Sequence, residues 1–137
     1  MPVDGSEHGF TALKLACSLT RRNKGTVFAV YVIEVARNLA LDAEMAFDAE
    51  KAELVLQRSE QITDQLDAKT EGEILQARDA GHAIVDEAIE RGVSAIILGV
   101  SFERPLGEFE MGRTATYVMQ HAPCKVIMLR AEAHEGQ

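Results

Sequence analysis

The sequence predicts an α/β fold: a single open sheet of five mostly parallel strands, doubly wound in the order 3-2-1-4-5, with helices on both faces. Three observations predict it. Strand-like and helix-like stretches alternate along the whole chain, which is the pattern of parallel strands joined by crossover helices. The runs at 26–33 (TVFAVYVI) and 95–98 (AIIL) are continuously apolar rather than alternating, as in strands covered on both sides. Finally, 137 residues give room for one hydrophobic core and no second one.

The elements follow in order. Pro2 and Val3 end a first strand, and Asp4, Gly5 and Ser6 supply turn and N-cap chemistry. The next helix has Phe10, Leu13, Ala16, Cys17 and Leu19 on its apolar side. Arg21, Arg22 and Lys24 suit the negative end of its dipole, and Gly25 suits the left-handed position just past it. The strand at 26–33 comes next. From about Asp42 to Lys69, Met45, Ala49, Ala52, Val55, Ile62 and Leu66 recur at three- and four-residue steps, which predicts one long amphipathic helix. Residues 73–77 (EILQA) read as a short strand. Gly81 to Arg91 reads as a helix with Ile84, Val85, Ala88 and Ile89 inward, closed by Gly92. After the strand at 95–98, a loop from Gly99 to about Met111 carries Pro105 and Gly107. The helix after it sets Ala115, Val118, Met119 and Ala122 on one side and stops at Pro123. Lys125 to Leu129 (KVIML) is the last strand, and the small, polar residues 131–137 read as a flexible tail to a domain of residues 1–130.

Composition excludes several classes. A net charge of −8, from 22 acidic and 14 basic residues, repels phosphate backbones and leaves no basic stripe for nucleic acid. No apolar run approaches the roughly 20 residues that span a bilayer, Ala95 to Val100 being only six long, so no membrane insertion is expected. The N-terminal residues show no basic stretch followed by an apolar one, and a cytoplasmic location is the expectation. Cys17 and Cys124 lie in apolar patterns and read as buried thiols. His121 and Cys124 are three residues apart, but zinc takes three or four such ligands, so both read as structural and no metal site is expected. His8, His82 and His134 read as solvated, and so does the acidic face of the long helix. No nucleophile elbow, Walker A or His-Glu-x-x-His pattern is present, so a non-enzymatic role is expected.

In open sheets of this winding, ligands bind beyond the carboxyl ends of the strands where the winding reverses. That geometry selects Asp4 and Gly99. Three stretches then carry a resemblance: PVDGSE at 2–7, IILGVS with MGR at 96–113, and HAPCKVIML at 121–129. Together they resemble the universal stress protein family over nearly the whole chain. The resemblance implies an adenine nucleotide alpha hydrolase-like fold and a stress-response or regulatory binding protein.

Nucleotide-binding members of that family carry Gly, two residues, Gly, nine residues, then Gly followed by Ser or Thr. Gly99 and Gly112 match at the right spacing, but Phe102 holds the second glycine position and Arg113 stands where Ser or Thr is usual, with Thr114 one residue later. Glycine matters there because backbone amides must approach phosphate oxygens without a β-carbon in the way. Arg113 can offset part of that loss with a charge-assisted contact. The resemblance places adenine among Pro2, Val3, Asp4, Val32, Leu98 and Gly99, and phosphates at Gly112, Arg113, Thr114 and Ala115. Asp4 is either an N-cap, a contact to the nucleotide or its magnesium, or both.

Two readings follow: a binding protein for ATP or AMP with an altered site, or a regulatory or interaction domain whose pocket Phe102 closes. The resemblance also implies a homodimer through the edge strand Lys125 to Leu129. Only three residues precede Asp4, where the family carries a longer central strand, so the chain is a fragment of a larger protein or the gap is tolerated.

Overall fold

The computed structural model describes residues 1–102 and 111–132. The expected loop residues Pro105 and Gly107, His134 and the greater part of the expected tail lie outside the described residues. In chain order the elements are α1 (Glu7–Asn23), β1 (Thr26–Glu34), α2 (Ala46–Gln65), β2 (Lys69–Ala77), α3 (Ala80–Arg91), β3 (Ala95–Val100), α4 (Arg113–His121) and β4 (Lys125–Arg130).

The strands form two parallel ladders, β1 with β2 and β3 with β4. The expected first strand is reduced to a single bridge between Pro2 and Val30. Met1 to Val3 lie along β1: the Val3 amide donates to the Val30 carbonyl at 2.9 Å, and the Val30 amide donates to the Met1 carbonyl at 2.9 Å. The Met1 amine donates to the Phe28 carbonyl. Burial, reinforced by the charge of Arg91, brings that amine down to about 5. Below Met1 a groove of about 510 Å³ separates Val27 and Phe28 of β1 from Ala95, Ile96 and Ile97 of β3. Three residues are too few to bridge the two ladders along their length.

Side chains alternate across the strands, and that alternation puts helices on both faces. Ile96, Leu98 and Val100 of β3 pack with Ile84, Val85 and Ala88 of α3 and with Ala115 and Val118 of α4. Ile97 turns the other way and joins Val27 of β1, Ala12, Leu13, Ala16 and Cys17 of α1, and Ile62 of α2. Ala29, Tyr31 and Ile33 of β1 meet Ala52 and Val55 of α2. The α1 and α2 core thus spans both ladders. Cys17 is buried as expected, and burial pushes its thiol up, whereas Cys124 is only half-buried.

Several boundaries differ from the sequence reading for local reasons. α2 starts at Ala46 rather than Asp42 because the Gln76 amide of β2 donates to the Leu41 and Ala43 carbonyls, at 2.9 and 3.0 Å, holding that stretch as a loop. It ends at Gln65 because Asp67 turns out of the helix at φ +54° and the Ala68 amide returns to the Thr63 carbonyl at 2.9 Å. This frees Lys69 to begin β2 four residues earlier than the expected Glu73. After α1 the left-handed position falls on Lys24, φ +54°, and not on Gly25, whose amide donates to the Thr20 carbonyl at 2.8 Å. Ile89 and Met119, read as inward-facing, are 57% and 46% exposed: the helices turn them past the edge of the core.

Candidate functional site at the carboxyl ends of the strands

α1 begins with a small polar network. Ser6 is its N-cap, and its hydroxyl oxygen accepts from the Gly9 amide at 3.1 Å. Asp4 does not cap the helix; it orients the cap. Its carboxylate accepts from the Ser6 amide at 2.9 Å and from the Ser6 hydroxyl. Partial burial would raise this carboxyl, but the two Ser6 hydrogen bonds and the charge of His8 outweigh that and hold it below its ordinary value.

Among the described residues no side chain caps the start of α4. Gly112 is its N-cap at φ +87°, ψ 164°, a region essentially restricted to glycine. The first intrahelical backbone bond to Gly112 comes from Thr116, at 3.1 Å. The amides of Arg113, Thr114 and Ala115 therefore have no partner within the helix and stand at its positive end. The Arg113 side chain reaches across to Glu34, the last residue of β1, with its Nη2 atom 3.1 Å from Glu34 Oε2.

These groups border one cleft of about 380 Å³, within the size range of small-molecule sites. All ten residues selected from the sequence line it: Pro2, Val3 and Asp4 from the N-terminal segment, Val32 from β1, Leu98 and Gly99 from β3, and Gly112, Arg113, Thr114 and Ala115 from the start of α4. Val3, Leu98 and Ala115 are buried and give one part of the cleft an apolar wall. The amides at the start of α4 and Arg113 suit an anion.

The sequence reading missed Glu34, Ala80, Ile84 and His8, which also line the cleft. Glu34 had a usable signal: a charged residue closing an apolar run at the carboxyl end of a strand. Phe102 is not among the described lining residues, and its ring lies under the guanidinium of Arg130, 4.6 Å from the ring centroid. Among the described residues no three His, Cys, Asp or Glu side chains are grouped to hold a metal, and no helix is long and apolar enough to cross a membrane.

Parallel strands ending at a cleft that also receives the start of a helix define an α/β domain with a candidate ligand cleft. The model of the universal stress protein family matches residues 1–130, and the chain belongs to that family. It is 24% identical over 141 residues to a universal stress protein of Methanocaldococcus jannaschii, covering 98% of this chain and 82% of the relative. Its fold is similar to that of the universal stress protein from Archaeoglobus fulgidus, with a TM-score of 0.78, 23% identity and 93% of each chain covered. The Archaeoglobus fulgidus protein solved in complex with dAMP gives 0.75, at 22% identity over 93% of this chain and 92% of that one. A universal stress protein family member from Arabidopsis thaliana with AMP bound gives 0.69, at 15% identity over 99% and 92%.

Proposed function

We propose that the chain is a universal stress protein-type regulatory protein that holds an adenine nucleotide, ATP or AMP, in this cleft and acts by association rather than catalysis. The observation that carries the reading is convergence. Ten residues scattered from Pro2 to Ala115 border one cleft with an apolar wall and the start of a helix. The base takes the apolar part, among Val3, Val32 and Leu98, and the phosphates take the Arg113, Thr114 and Ala115 amides. Solved relatives with dAMP and AMP bound lend support. Magnesium would enter only with the phosphates, which is how that ion is usually held, with the Asp4 carboxylate as its protein contact in this reading.

The closed-pocket reading is less well supported. It needs the Phe102 ring in the cleft, whereas the ring is stacked with Arg130. The finer architecture belongs to the same proposal: residues 1–130 as the working domain, Met1 to Val3 as the middle strand of a five-stranded sheet in the order 3-2-1-4-5, and a homodimer. β4 pairs only with β3 among the described residues, so a two-fold partner strand at Lys125 to Leu129 would cover an apolar edge. Light scattering at twice the 15.0 kDa chain mass supports the dimer, and a 15.0 kDa species alone rejects it.

Thermal-shift titration with ATP, AMP and GMP tests the ligand. Stabilisation by adenine nucleotides but not by GMP is expected. No shift at millimolar ATP or AMP would reject nucleotide binding while leaving the family assignment intact.

A further inference from the structure

The Arg113–Glu34 pair joins the first residue of α4 to the last residue of β1, and both residues line the cleft. Their side chains are 77% and 42% exposed, which makes the pair easy to break. An anion on the α4 amides would have Arg113 beside it and would also face the Glu34 carboxylate.

We infer that this pair is a latch that a phosphate group opens. Paired with it at 3.1 Å, Glu34 holds the Arg113 guanidinium toward β1. A nucleotide phosphate takes the guanidinium over, because a phosphate monoester carries more charge at neutral pH than a carboxylate and accepts two parallel guanidinium hydrogen bonds. Glu34 thus regulates the site by tempering the grip of Arg113 on phosphorylated ligands, whereas an unphosphorylated nucleoside gains nothing from Arg113 and leaves the latch closed. The inference rests on the nucleotide reading above.

Calorimetric titration of the full chain with AMP and with adenosine tests it, in wild type, Glu34→Gln and Arg113→Gln, with the melting temperature of each variant as the folding control. Glu34→Gln should tighten AMP by about two- to fivefold, the range set by a solvent-exposed pair, and leave adenosine unchanged. Arg113→Gln should weaken AMP and leave adenosine unchanged. The gain from Glu34→Gln should shrink as salt is raised. Unchanged or weaker AMP binding in a folded Glu34→Gln overturns the latch while the nucleotide reading stands. Silence toward both ligands in wild type and variants overturns both.

Discussion

A β-carbon on Gly99 would lie 2.4 Å from the backbone carbonyl oxygen of His8. α1 therefore crosses β3 so closely that only glycine fits. The requirement is set by packing, independently of any ligand. Gly99→Ala should lower stability by about 1–3 kcal/mol, the usual cost of overpacking, read as a lower urea midpoint with an unchanged slope. An unchanged midpoint would show that α1 and β3 are farther apart.

Gly112 answers to a different constraint. Among the described residues nothing lies within 4 Å of a β-carbon placed there, but its φ is +87°. Gly112→Ala should cost about 1–3 kcal/mol through backbone strain alone and should weaken nucleotide binding by displacing the α4 amides. Loss of binding without loss of stability, measured on one sample, would mean that the glycine serves only ligand approach.

The Asp4 and Ser6 network should give the protein a pH signature. The folded Asp4 carboxyl loses its proton at a lower pH than the unfolded one, whose value is about 3.9. Between those values the unfolded chain binds more protons, so this contribution is complete above the unfolded value and is lost as pH falls through the folded one. Asp4→Asn should be less stable than wild type at neutral pH, and the two should converge in acid. Ser6→Ala should cost about 0.5–2 kcal/mol through the lost cap. Parallel stability curves for wild type and Asp4→Asn from neutral pH into acid would contradict the network.

The groove beneath Met1 predicts a gain. Adding four apolar, β-prone residues ahead of Met1 should raise the melting temperature and protect inner-edge amides of β1 and β3 from hydrogen exchange. Those residues would pair with Phe28 and Ile96, and they would remove the desolvated amine. A Gly-Ser extension of equal length should do neither. Equal effects of the two extensions would mean that the groove does not accept a strand.

Most of the architecture is legible in the residues because local and global signals agree. Gly92 closes α3 in the left-handed conformation, and the apolar runs at 26–33 and 95–98 lie within β1 and β3. Helical spacing alone misplaced both ends of α2. What bounds that helix is a pair of tertiary hydrogen bonds from Gln76, to carbonyls more than thirty residues away, before its start and a left-handed turn at Asp67 after its end. Ten residues of the cleft were selected by topology, motif spacing and resemblance. Glu34 was not, because its role depends on a partner 79 residues away. Phe102 shows the limit of motif reading: its identity was legible, and its direction, toward Arg130 at the end of β4, was not.

The central claim is that an adenine nucleotide sits between the N-terminal segment and the start of α4. Titrating AMP into ¹⁵N-labelled protein and following the backbone amides tests it most directly. The account predicts saturable shifts concentrated at Asp4, Val32, Gly99 and Gly112 to Ala115, with residues lining the groove below Met1, such as Gly92 and Ser94, unmoved. Shifts confined to that groove, or no shifts at millimolar AMP, would contradict it.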